Sequence, residues 1–363
     1  MLVFDILKIL EKIAPYSLAL DWDNSGLQVG DINAEVKKLA ISLDPTLSVM
    51  EEALKMGANL LVSHHPLIFK PLKNISFSDK STEALVFAIK NNLNVVSFHT
   101  NYDASSMALA LADTLELKVL EFLEDQSLKY LKLVVFVPPE NASSLMDALF
   151  RAGAGVIEDY SKCSFSQDGT GSFQGDLGTK PSIGKSGELT FAKESRIEVV
   201  LPQHLKERVA DAIIKNHPYE EPAYDFYEAQ SPGKYGFGVL GIWDPPKEPR
   251  EFIAEKLNLK SLSLAGPIAL EVKKVALMPG SGGSYIELAK KKDAEILITG
   301  DLSHHQAILA SDIGLGVISA GHFETENPGM LLLANHLQKT YGHRLSVSFI
   351  EGESPIRNWI LKF

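Results

Sequence analysis

The chain has 363 residues, 45% of them hydrophobic and 22% charged, and a formal net charge of -11. That length allows two or three domains with a sizeable core. The charge disfavours a nucleic-acid platform, since no basic run exceeds Lys290-Lys291-Lys292. A single cysteine, Cys163, excludes an intrachain disulfide and a four-thiolate zinc site and implies a reducing, cytoplasmic setting.

From the N-terminus, Leu2, Ile6, Leu7, Ile9, Leu10 and Ile13 recur at helical spacing and predict an amphipathic helix ended by Pro15. Asp5, Lys8, Glu11 and Lys12 break any signal-peptide apolar region there, and no apolar run approaches the roughly 20 residues that span a bilayer. Leu39 to Leu43 reads as a strand, and Thr46 as the cap of a helix through Met56. Leu60 to Val62 is a short buried strand leading into His64-His65-Pro66. Ser81 and Thr82 open a helix to about Asn91. Asn94 to Phe98 is a strand, followed by a loop carrying Asp103 and a helix from about Ser106. Such alternation predicts a mostly parallel sheet covered by helices.

The pattern changes after about Gln126. Strands at Tyr130–Val137 and Val156–Tyr160 enclose a helix, Ala142–Arg151, and a stretch rich in Gly, Ser and Pro runs from Ser164 to Gly187. Strands near Glu188–Ala192 and Arg196–Leu201, a helix over Leu205–Asn216 and a strand at Ala223–Glu228 complete a ferredoxin-like unit. Alternation resumes near Pro232. Strands at Gly236–Trp243, Val272–Met278, Glu295–Thr299, Gly316–Ser319 and Leu345–Ile350 are separated by helices from Pro249, to Lys291, from His304 and to about Lys339. The expected fold is a three-layer α/β/α core of two halves, residues 1–125 and 230–363, interrupted by an α+β insert at 126–229.

Six of the ten histidines lie where these strands end. In open α/β sheets, ligands bind beyond the carboxyl ends of the strands. His64 and His65 point different ways from one loop and can serve two neighbouring metals. Asp103, four residues after His99, can bridge two cations or cap the next helix. His322 and Glu326, four apart at a helix start, can face one point. His305, four after Asp301, could orient a ligand, accept a proton or cover the sheet edge. The glycine loop Pro279–Ser284 could cradle phosphate through its amides, but it lacks the P-loop and GxGxxG patterns, and taken alone a tight turn accounts for it better. A His pair, an Asp and a His/Glu pair together make the nitrogen and oxygen ligand set of a two-metal site.

Asp21-Trp22-Asp23-Asn24-Ser25-Gly26-Leu27, Ser63-His64-His65-Pro66, His99-Thr100-Asn101-Tyr102-Asp103, Thr299-Gly300-Asp301 and Gly321-His322-Phe323-Glu324-Thr325-Glu326 resemble, in order, the GTP cyclohydrolase I type 2 family, also called the Ngg-interacting-factor-3-like family. Cys163-Ser164-Phe165, Gly187-Glu188, Arg196-Ile197-Glu198 and His217-Pro218-Tyr219-Glu220-Glu221-Pro222 resemble the PII- or CutA-like middle domain of its longer bacterial members. The resemblance implies a dinuclear centre ligated by His64, His65, Asp103, His322 and Glu326, in a toroidal homohexamer. Pro328, soon after Glu326, fits a first helical turn. The cofactor expected is two divalent ions per subunit, zinc before iron or manganese. The function expected is a metal-dependent hydrolase of a small molecule, most concretely opening of the GTP imidazole ring, with His99 or His305 shuttling protons. The alternatives are a phosphoesterase on nucleotides and a non-enzymatic metal-binding regulatory or chaperone hexamer.

Overall fold

Runs of four or five apolar and small residues, buried on both faces, form the central strands: Lys38–Ser42, Leu60–Ser63, Asn94–Ser97, Ile296–Thr299 and Gly316–Ser319. The computed structural model describes residues 1–77, 79–126, 129–157, 160–230 and 235–356. Two compact units emerge: Met1–Gln126 with Gly233–Phe363, and Ser127–Pro232.

The α/β class read from the sequence holds, with the strands of the larger unit divided between two mixed sheets. One sheet runs, edge to edge, Gly26–Val29, Asn94–Ser97, Leu60–Ser63, Lys38–Ser42 and Ser346–Phe349, parallel except for its first pair. The other runs Ser263–Ala265, Gly316–Ser319, Ile296–Thr299, Val272–Met278, Tyr235–Lys247 and Lys118–Gln126, with parallel pairing only among the second, third and fourth. Ile41, Val62, Val96, Ile296, Ile298 and Ile318 are fully buried, each worth about 1.5–3 kcal/mol in transfer from water. Tyr102 is buried beside the first sheet, and its hydroxyl donates to the Gly329 carbonyl at 2.8 Å. That bond ties the segment after the second strand of this sheet to the helix His322–Tyr341.

Two helices depart from expectation near the site. The helix expected from Ser106 already begins at Thr100, and its turn Asp103–Met107 is π-wound before Ala108–Thr114 continues it. Asp103 therefore sits within the helix and caps nothing. The helix His322–Tyr341 starts at His322, which puts Pro328 in its second turn rather than its first. Pro328 has no N–H to offer the Glu324 carbonyl.

In the smaller unit, Phe165–Gln174, Leu189–Pro202, Lys129–Val137 and Tyr224–Gln230 form an antiparallel sheet in that order. Alternate residues Leu131, Leu133, Val135 and Val137, with Ile197, Val199 and Leu201, pack against the helices Pro139–Arg151 and Lys206–Asn216. The strand expected at Val156–Tyr160 is a single bridge between Ile157 and Tyr160, and residues 158–159 lie outside the described residues. The first strand of the order falls inside the Gly- and Ser-rich stretch and was not expected. It pairs over ten positions with Leu189–Glu198.

The smaller unit departs from a paired pair of strand ends. Gln126 faces Tyr235 in the antiparallel ladder. We propose that the unit is an insertion at a hairpin tip, so replacing residues 127–234 with an Asn-Gly turn should leave the larger unit folded. Metal content and a cooperative thermal transition of the shortened protein check this. A folded product without metal would show that the removed unit helps build the site.

Candidate metal centre

The carboxyl ends of both sheets in the larger unit meet at one cluster. His64 and His65 follow Leu60–Ser63, while His99 and Asp103 follow Asn94–Ser97. His322 and Glu326 occupy the first two turns of the helix that follows Gly316–Ser319. One ligand atom from each of His64, Asp103 and Glu326 lies within 4.8 Å of the others, and the same holds for His65, His322 and Glu326, and for His64, His65 and His99. Glu326 belongs to two of these groups.

Each histidine is oriented through Nδ1. The Nδ1 of His64 lies 2.8 Å from the Phe98 carbonyl oxygen. The Nδ1 atoms of His65, His99 and His322 lie 2.7, 2.8 and 2.6 Å from carboxylate oxygens of Asp44, Asp23 and Asp301. A carbonyl can only accept, so His64 donates from Nδ1 and turns Nε2 toward the cluster. Such partners fix tautomer and ring direction at metal sites.

Asp23 is a hub of this support. Besides His99 it accepts from the Thr100 amide at 3.0 Å, the Thr100 hydroxyl at 2.7 Å and the Ser25 hydroxyl at 2.9 Å. Burial opposes its charge, but these donors, His99 first, hold its carboxyl well below the usual range. Asp44, which lies beyond the strand Lys38–Ser42, did not figure in the sequence reading.

The decisive feature is a pair of orphaned atoms. Among the described residues His64 Nε2 and Glu326 Oε2 are buried 3.9 Å apart with no hydrogen bond of good geometry, although Glu326 Oε2 lies 3.3 Å from His65 Nε2 and 3.1 Å from His322 Nε2. Asp103 Oδ1 stands 3.4 Å from the same Nε2. An imidazole nitrogen facing two carboxylates in a buried setting needs a proton or a metal ion between them. The donor set fits a borderline divalent metal.

The electrostatics agree. Burial opposes charge on His65, yet the carboxylates of Asp44 and Glu326 beside it raise its pKa to about 10. For His322 the adjacent Glu326 carboxylate leads, burial opposes it, and the pKa rises to about 9. Burial also opposes the charge on Glu326, but the close imidazoles of His322 and His65 hold its carboxyl far below the usual range. The cluster thus demands positive charge, as protons or as metal. Both histidines sit above the unfolded value of about 6.5. Their stabilisation of chelator-treated protein is complete below about pH 6.5 and is lost as pH rises through about 9 to 10. The thermal midpoint of that protein should fall from pH 7 to pH 10. Excess metal should stabilise more across the same window, because neutral imidazole is the ligating form. A midpoint independent of pH would contradict the coupling.

Two expected residues fare differently. His99 joins the cluster, with its ring centroid 5.1 Å from that of His64. His305 is exposed in the first turn of the helix His304–Asp312 and belongs to none of the three groups. The Ser303/Gln306 capping box starts that helix and turns His304 and His305 outward.

The glycine loop is no phosphate cradle at Gly280 or Gly282. The Gly280 amide donates to the Thr325 hydroxyl at 3.1 Å and the Gly282 amide to the Thr299 hydroxyl at 2.8 Å. The Gly280 carbonyl accepts from the amides of Gly300 and Asp301 at 2.8 and 3.0 Å. Gly280 has φ +60°, and a Cβ there would overlap the Glu326 carboxylate. The loop seats Glu326.

Among the described residues, no helix is long and apolar enough to cross a membrane. The sequence model of Duf34/NIF3 (NGG1p interacting factor 3) matches residues 1–355. A Bacillus subtilis protein named GTP cyclohydrolase 1 type 2 homolog is 38% identical over 325 residues, covering 88% of this chain and 87% of its own length. One of the same name from Halalkalibacterium halodurans is 36% identical over 324 residues, covering 87% of each. The crystal structure of a Bacillus cereus protein related to NIF3 aligns with a TM-score of 0.75 at 33% identity, covering 99% of both chains.

Proposed function

The chain belongs to the Duf34/NIF3 family, and from that premise we propose that His64, Asp103, His65, His322 and a shared Glu326 would hold two divalent ions and that the chain hydrolyses a small molecule beside them. The observation that carries this is the sharing of Glu326 between the His64/Asp103 group and the His65/His322 group. When bound, the ions supply Lewis acidity, which acidifies water and polarises the atom it attacks.

The chain's own residues do the rest. Asp44, Asp301 and the Phe98 carbonyl hold three imidazoles with Nε2 forward, so no rotamer search precedes ligation. Asp23 grips Nδ1 of His99, which leaves Nε2 of His99 free to take or return a proton at the edge of the cluster. Trp22 and Phe69, both more than half exposed, lie 5.9 and 6.2 Å from the His99 ring and offer an apolar border to a planar base. The concrete reaction is opening of the GTP imidazole ring: water adds at the carbon between the two ring nitrogens, a carbon–nitrogen bond breaks, and a second hydrolysis releases formate. The assembly that goes with this reading is a toroidal homohexamer, which sedimentation analysis checks.

Elemental analysis of protein purified without chelator and reconstituted with zinc, iron or manganese should give two ions per chain. Stoichiometry that never passes one would sink the dinuclear reading. Formate should appear from GTP in the loaded protein, and His99→Gln should slow its release by about 100-fold or more with metal content nearly intact. Fully loaded protein that releases no formate rules out the cyclohydrolase reading and leaves the metal site standing. Phosphate release from nucleotides would then be the assay to run.

A further inference from the structure

The smaller unit holds a recess of about 640 Å3 that the metal chemistry does not use. It lies against the face of the antiparallel sheet turned away from the helices. Phe136, Glu194 and Arg196 line it from positions that alternate with the buried core residues Val135, Val137 and Ile197.

Three aromatic rings contribute to the wall: Phe136, Phe173 and Tyr219. The rings of Phe173 and Tyr219 are 6.3 Å apart and inclined by 52°. Tyr219 is held in place by His217, which accepts the Tyr219 amide at Nδ1 at 3.0 Å and donates from Nε2 to the Phe136 carbonyl at 2.8 Å. With both nitrogens engaged this way His217 is neutral, and burial lowers its pKa in the same sense. The Tyr219 hydroxyl is buried beside the Glu194 carboxylate, with no hydrogen bond of good geometry among the described residues. Burial, then the neighbouring Glu194 charge, pushes its pKa up to about 12.

The charge of the lining is one-sided. Asp168, Glu194, Glu220 and Glu221 face a single guanidinium, Arg196. Arg196 is already paired with Glu198 at 3.0 Å and lies 5.8 Å over the Phe136 ring. Asp168 accepts from the Ser195 hydroxyl at 2.6 Å, and Glu220 from the Lys180 amide at 3.3 Å. Glu194 comes so close to Gly171 that a Cβ there would overlap its carboxylate. Four carboxylates repel an anion. A bare metal ion would gain nothing from three rings, whose faces attract soft cations.

We propose that this recess binds a small organic ammonium ion, a primary or quaternary amine with an apolar body. The carboxylates supply charge, and the rings supply cation–π and apolar contact.

The test uses the full chain and benzyltrimethylammonium, with benzyl alcohol as the neutral match and phenylacetate as the anionic one, followed by calorimetry or ligand-observed NMR. A quaternary ammonium cannot ligate a metal, so the result is independent of the metal centre. The cation should bind saturably, and the Glu194→Gln/Glu220→Gln double variant should weaken it by about tenfold or more. If that variant does not fold, wild-type protein at raised salt decides: affinity should fall as the carboxylates are screened. Equal binding of benzyl alcohol, preference for phenylacetate, or indifference to the variant or to salt overturns the proposal. So does the absence of saturation below about 10 mM, the result expected if a second copy of the chain covers the recess.

Discussion

Glu326→Gln will strip metal from both halves of the cluster at once. The carboxylate is almost fully buried and stands 3.3 Å from His65 Nε2, 3.1 Å from His322 Nε2 and 3.9 Å from His64 Nε2. The amide keeps the shape and removes the charge that, on the two-ion reading, would balance two cations, and it turns one lone-pair site into a donor aimed at imidazoles. The loss of affinity should exceed the about 10- to 100-fold typical of removing a supporting group. Asp44→Asn is the matched comparison, since among the described residues its side chain hydrogen-bonds His65 alone, and it should weaken a single ion within that range. Competitive chelation, read by metal released per chain, separates the two variants. Retention of two ions by Glu326→Gln would remove the shared carboxylate from the account.

Gly280→Ala will damage the site from behind and destabilise the fold. Two costs combine: a left-handed backbone at φ +60°, which disfavours any Cβ, and a methyl group pressed into the Glu326 carboxylate. Gly314 isolates the first cost, because it has φ +67° with nothing within 4 Å of a Cβ. Gly314→Ala should cost about 1 kcal/mol and leave metal content unchanged. Gly280→Ala should cost roughly 2–4 kcal/mol and lose metal. Denaturant melts and elemental analysis of the pair measure the difference. Equal behaviour of the two variants would mean that the loop does not position Glu326.

The ligand candidates were legible because short apolar runs announce strands, and His64, His65, His99 and His322 stand directly beyond them. The same criterion, applied to the end of Lys38–Ser42, would have found Asp44. The place of His305 outside the three groups was also legible, since Ser303 and Gln306 spell a capping box that starts a helix there and leaves the residues between them exposed. The strand Phe165–Gln174 carries apolar residues only near its ends and leaves no alternating pattern to detect. Its place is set by a partner strand. The early start of the helix at Thr100 was hidden for a different reason. A π-wound turn shifts the side-chain period by one residue, and it does so at Asp103, where the carboxylate meets His64.

The two groups that share Glu326 are unequally sheltered. His64 is inaccessible, whereas the side chains of His65 and His322 are 25% and 31% exposed. On the two-ion reading, this makes the centre kinetically asymmetric. An ion on the His65/His322 side can be approached by solvent and by small chelators, so it exchanges with the surrounding pool. An ion on the His64 side is open to solvent only past Asp103, whose side chain is 22% exposed, so it exchanges more slowly and holds longer to the identity it had when the protein matured. A single chain would then report present metal supply at one position and past supply at the other, and preparations grown on different metals would differ in ways that brief dialysis does not erase.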